Sequence, residues 1–175
     1  MSDLAKVIRH SARGMITLRG DLTSSPLKKA VKAATGYTVP KAGHIAGDDT
    51  KGVIWMSPDE LLVMVPYGEV EATLAALDKT LLGKHYLAVD VSDARAVFTV
   101  EGAQAHEVLA RVCPVDLHAD SFAVGAFRRT RMAQVAAAIW RHEAGFDVIC
   151  FRSVGDYAEG LLRNAAAAAP TGALG

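Results

Sequence analysis

The stretch from Val89 to Leu117, VDVSDARAVFTVEGAQAHEVLARVCPVDL, constrains the fold most, because one hydrophobic pattern there spells a strand, a turn and a helix. From Ala94 to Glu101 the β-favouring residues Val97, Phe98, Thr99 and Val100 lie between polar neighbours, as in a strand with a buried face. Gly102 breaks that strand. Ala105, Val108, Leu109 and Val112 then recur at i, i+3, i+4 and i+7, the stripe of an amphipathic helix, and the same spacing points His106, Glu107 and Arg111 away from it. Pro114 ends the helix.

Around this unit the chain reads in order. A polar leader precedes MITLR, Met15 to Arg19, a short strand closed by Gly20. Ser25 suits an N-cap, Pro26 the first helical position, and Leu27, Ala30, Val31 and Ala34 the buried stripe of a helix that Gly36 terminates. Residues 37–49 read as a loop with room for one short extended piece. Gly52 to Met56 and Leu61 to Val65 form a hairpin about Ser57, Pro58, Asp59 and Glu60. Val70, Leu74, Leu77 and Leu81 make a second helix, ended by Gly83. After a loop through Asp116 to Gly125, residues 126–141 carry two strands split near Arg131, and Phe146 to Phe151 another. Val154, Tyr157, Ala158, Leu161, Leu162 and Ala165 form the closing amphipathic helix, with AAAAAPTGALG as its frayed end.

The two halves share a layout of strand, glycine, helix, loop, tryptophan, apolar strand and closing helix, with Gly20 answering Gly102 and Trp55 answering Trp140. This predicts a single domain over residues 1–175, built of pseudo-repeat halves at about 10–84 and 85–168 with a tail at 169–175. Since strands come in runs and not in regular strand-helix alternation, the fold class is α+β.

Charge and composition narrow the function. Lys plus Arg equals Asp plus Glu at 19 each, so no net field draws the chain to nucleic acid or an anionic membrane. A neutral chain with mean hydropathy +0.20 suits a subunit. No run approaches the ~20 apolar residues of a membrane span, and no apolar leader opens the chain, which places it in the cytoplasm. Cys113 and Cys150 lack ligand spacing and read as buried thiols.

Chemistry-bearing patterns are sparse. Neither GxGxxG nor GxxxxGK[ST] occurs, which argues against NAD or ATP on this chain. The histidines at 10, 44, 85, 106, 118 and 142 show no HxH or HExxH spacing and read as loop or surface residues, so no metal site is expected. Ser57, Ser92 and Ser121 lack a nucleophile elbow. Asp90 and Asp93 flank Ser92 and read as turn caps before acid and base. Arg128, Arg129 and Arg131 read as a solvated strand face or a contact for an acidic partner. Trp55 and Trp140 read as packing anchors. The reading is of no active site and no catalytic residues.

Several segments together resemble the sarcosine oxidase gamma subunit family: LRGDL at Leu18 to Leu22, WMSPDELLVMVP at Trp55 to Pro66, DVSDAR at Asp90 to Arg95, CPVDL at Cys113 to Leu117, and FRSVGDYAEGLL at Phe151 to Leu162. A looser resemblance connects the central unit to the folate-binding domain of aminomethyltransferases. The resemblance implies the aminomethyltransferase-like folate-binding fold in an accessory subunit of a heterotetramer, without a cofactor of its own. It implies that larger alpha and beta subunits and a small delta subunit carry NAD, FAD, FMN and tetrahydrofolate, and that the assembly demethylates sarcosine oxidatively to glycine. A rival reading is a stand-alone folate-binding aminomethyltransferase-like protein, in which Asp116 would match the acidic residue of the folate pocket. Against it, Thr130 to Arg141 is short and lacks that class's acidic NExGG-type hairpin, so the pocket would be vestigial.

Overall fold

A computed structural model describes residues 4–167, and the tail expected at 169–175 lies outside them. Strand β1 (Lys6–Arg9) opens them where a polar leader was expected; four residues are too few for a period to show. The chain separates into two compact units. One runs from Ala12 to Asp93; the other joins the chain's start, through Ser11, to the stretch from Ala94 onward.

The first unit contains β2 (Gly14–Gly20), α1 (Ser25–Thr35), β3 (Ile45–Gly47), β4 (Gly52–Ser57), β5 (Glu60–Val65), α2 (Val70–Leu81) and β6 (Tyr86–Asp90). Its five strands lie in the order β3-β4-β5-β2-β6, every pair antiparallel. Without the short β3 this is the split β-α-β-β-α-β arrangement. Both helices bury their stripes on one face, where Leu27 and Val31 of α1 and Leu77 and Leu81 of α2 meet Ile16, Leu18, Val63 and Val65. Each such fully buried side chain contributes about 1.5–3 kcal/mol. The N-cap of α1 is Ser24, one residue before the expected Ser25, and its hydroxyl donates to the Asp21 carbonyl at 2.8 Å. Gly36, at φ 83°, closes that helix, its N–H donating to the Lys32 carbonyl at 2.8 Å.

The second unit contains β1, β7 (Arg95–Glu101), α3 (Ala105–Ala110), β8 (Phe127–Met132), β9 (Val135–His142), β10 (Gly145–Phe151) and α4 (Gly155–Ala167). Its sheet runs β1-β7-β10-β9-β8, again antiparallel throughout. The architecture is α+β with two similar units: β7, β8, β9 and β10 take the places of β2, β3, β4 and β5, and β1 takes the place of β6.

Three local expectations are corrected. Tyr86–Asp90 is a strand paired with β2, so the units divide at Asp93 and Ala94, beyond the expected 84/85. The β8–β9 turn falls at Ala133 and Gln134, not near Arg131. Helix α3 ends at Ala110, and Glu107, expected to face outward, is buried, with Arg111 3.9 Å away. Helical spacing alone put Glu107 on the polar face; α3 also packs against α4, a second surface for a short helix.

Candidate functional site

The most concentrated polar chemistry lies on the helix-free face of the second unit's sheet. Asp147 stands in the middle of the apolar strand β10 and pairs across the ladder with Thr99 of β7 and Trp140 of β9. Period-2 alternation puts these three on the face opposite Phe98, Val148 and Ile139, which belong to the helix-covered core. The Thr99 hydroxyl donates to the Asp147 carboxylate. His10 Nε2 lies 2.6 Å from Thr99 Oγ1, and His142 Nε2 lies 3.7 Å from Asp147 Oδ1, within ion-pair distance but too long for a hydrogen bond. With Thr99 5% and Asp147 9% exposed, this is a hydrogen-bonded anchor for a buried carboxylate. The hydroxyl's proton is directed at the carboxylate. His10 and His142, read from sequence as loop or surface residues, border the cluster. A charged residue inside GFDVICF was the signal available in the sequence; Thr99 comes from 48 residues away, and His10 lies a further 89 residues before Thr99.

The residues singled out from the sequence take separate positions. Asp90 Oδ1 accepts from the Ser92 amide at 2.9 Å and from its hydroxyl, while Ser92 Oγ accepts from the Met15 amide at 2.9 Å. Asp93 receives the Tyr67 hydroxyl at 3.1 Å. These bonds tie the end of β6 to β2 and β5's following turn, a structural use of all three side chains. Ser57 Oγ donates to Asp59 at 2.7 Å in the β4–β5 turn.

Asp116 is exposed and accepts the His118 amide at 3.0 Å. A hydrogen bond from the Ser121 hydroxyl, then that amide, hold its carboxyl below the usual carboxylate range. It caps its own turn. Burial pushes the Cys113 thiol up to about 11 and also raises Cys150, so both thiols are protonated and poorly nucleophilic at neutral pH. Among the described residues no group of three or more His, Cys, Asp or Glu converges as metal ligands.

Trp55 packs against the helix-covered core of its unit, whereas Trp140 lies on the helix-free face of its own. They occupy opposite faces of related sheets, which corrects their pairing as equivalent positions: the ladder partner of Trp55 is Leu61, whose counterpart after the β9–β10 turn is Phe146, and Phe146 pairs with Arg141. Arg128, Arg129 and Arg131 are all exposed on β8, an outermost strand. Exposed apolar residues include Leu82, after α2, and Leu87 and Val89 on the outermost strand β6. Among the described residues no helix is long and apolar enough to cross a membrane.

A family model described as sarcosine oxidase, gamma subunit family, matches residues 19–168. The sarcosine oxidase subunit gamma of Corynebacterium sp. (strain U-96) is 37% identical over 114 residues, covering 64% of this chain and 55% of its own length. That of Arthrobacter sp is 34% identical with the same coverage. The chain thus spans about half the length of the curated relatives it matches. Among solved structures, a chain of the heterotetrameric sarcosine oxidase from Corynebacterium sp. U-96, in complex with pyrrole 2-carboxylate, superposes with a TM-score of 0.85 at 29% identity, covering 95% of this chain and 87% of that one. Aminomethyltransferase T of the glycine cleavage system from Bartonella henselae shares the fold, with a TM-score of 0.68 at 15% identity over 92% of this chain and 46% of that one.

Proposed function

The chain belongs to the sarcosine oxidase gamma subunit family, and from that premise we propose that it is the accessory gamma subunit of a heterotetrameric sarcosine oxidase. In this reading it supports oxidative demethylation of sarcosine to glycine with oxygen and tetrahydrofolate, in the cytoplasm, without an active site of its own. The match across residues 19–168 carries the proposal, supported by the likeness to a chain of a solved heterotetramer. Amine oxidation needs an electron acceptor that side chains do not supply. The reading therefore assigns FAD, FMN, NAD and tetrahydrofolate to the larger alpha and beta subunits, with a small delta subunit completing the assembly. The exposed apolar residues Leu82, Leu87 and Val89 suit burial against such partners.

Co-expression with the alpha and beta subunits from the same source tests this. The expected result is one complex on size-exclusion chromatography, with sarcosine-dependent peroxide formation that falls when this chain is omitted. Full activity and stability of the larger subunits without it, together with failure to co-elute, would sink the reading.

A second prediction concerns folate. Because the Asp116 carboxylate is engaged by Ser121 and the His118 amide, the isolated chain is expected to bind tetrahydrofolate no more tightly than millimolar by calorimetry, with Asp116→Ala making no difference. A micromolar affinity abolished by Asp116→Ala would instead favour the stand-alone folate-binding protein.

A further inference from the structure

We propose that the outer edge of β8 is a docking site for an extended, acidic segment of a partner subunit, which adds to the second unit's sheet as a sixth strand. This rests on the gamma-subunit reading and deepens it by naming the surface and the chemistry of what it receives.

Three observations converge. Strand β8 is the last strand of its sheet, and among the described residues no strand pairs with its outer side. The ladder with β9 runs unbroken from Phe127 opposite Trp140 to Met132 opposite Val135, across a two-residue turn. A two-residue hairpin closes on a hydrogen-bonded pair, so Met132, Thr130 and Arg128 direct their backbone groups at β9. The Arg141 amide donating to the Ala126 carbonyl at 3.1 Å keeps the same phase one step earlier. The N–H and C=O groups of Arg129 and Arg131 therefore point off the sheet, a row of donors and acceptors that an extended segment can pair with.

Charge supplies the complementarity. Arg128, Arg129 and Arg131 are exposed, and among the described residues no carboxylate lies within ion-pair distance of them. The guanidinium of Arg128 lies 5.9 Å from the Phe122 ring, on the helix-bearing face, while Arg129 and Arg131 lie on the other face with Ala138 and Ala136 as their ladder partners. Small alanines beside them leave the rim open. Guanidinium groups on both faces of one free strand match carboxylates on both faces of an incoming one, in the bidentate geometry that arginine favours.

A charged edge can also serve merely to deter edge-to-edge aggregation. The two roles separate by experiment. The full chain is measured against the sarcosine oxidase alpha and beta subunits from the same source by biolayer interferometry at several salt concentrations, with far-ultraviolet circular dichroism of each variant as the check on folding. Combined Arg128→Glu, Arg129→Glu and Arg131→Glu is expected to weaken co-assembly at least tenfold and to flatten its salt dependence. Combined Arg→Lys at the same positions, which deters aggregation equally well, is expected to weaken it several-fold because the bidentate geometry is lost. Arg129→Pro removes an N–H that points away from the sheet, which an edge strand tolerates, and is expected to weaken assembly well beyond Arg129→Ala. Folded charge-reversed and proline variants that assemble like the wild type would overturn the proposal. A charge effect without a proline effect would overturn strand addition. Failure of the wild-type chain itself to assemble would overturn the gamma-subunit reading, and this inference with it.

Discussion

Gly145→Ala is expected to destabilise the second unit by about 3 kcal/mol or more. Gly145 follows the β9–β10 turn at φ 156°, a backbone conformation that residues with a side chain rarely adopt. A Cβ there would lie 2.1 Å from the Val100 carbonyl oxygen and 3.1 Å from the Glu101 Cα, on the neighbouring strand β7. Both obstacles are backbone, so no rotamer change relieves the overlap; β10 and β7 have to move apart where Gly145 opposes Glu101. Urea denaturation followed by Trp140 fluorescence in a Trp55→Phe background measures the effect in the unit concerned. Gly160→Ala provides the opposite sign: it lies on the exposed face of α4, a Cβ there meets nothing within 4 Å, and the change should stabilise by about 0.5–1 kcal/mol. Equal midpoints for the wild type and Gly145→Ala would refute the close approach.

Asp147→Ala is expected to cost about 2–3 kcal/mol by the same measurement, because it leaves the buried Thr99 hydroxyl without its acceptor and opens space beside Trp140. Thr99→Val, nearly the same shape without the hydroxyl, should cost less, about 1–2 kcal/mol, since His142 remains near the carboxylate. The double variant should be less destabilising than the sum of the two, as each single change already removes the shared bond. Strict additivity would mean that Thr99 and Asp147 do not act together. An Asp147→Ala protein as stable as the wild type would reduce the cluster to an accident of packing.

Helices and hairpins were legible in the sequence because their signals are local. The stripes of α1, α2 and α4 fall within a few turns, Gly36 marks the end of α1 through a left-handed conformation, and Pro58 and Asp59 mark the β4–β5 turn. The α+β class and the family motifs from Leu18 to Leu162 follow from the same kind of short-range pattern.

Partnership between distant strands was decided by the tertiary structure alone. Lys6–Arg9 and Tyr86–Asp90 carry too little pattern to declare themselves, and each becomes a strand through hydrogen bonds to a neighbour, β1 to β7 and β6 to β2. The same long-range register puts Trp55 and Trp140 on opposite faces, gathers Thr99, Asp147 and His142 into one cluster, and leaves the arginine-bearing edge of β8 open. A strand's face and neighbours are set by backbone pairing across the whole chain, whereas a helix closes its hydrogen bonds within itself; that is why the helices could be read along the sequence and the sheet edges could not.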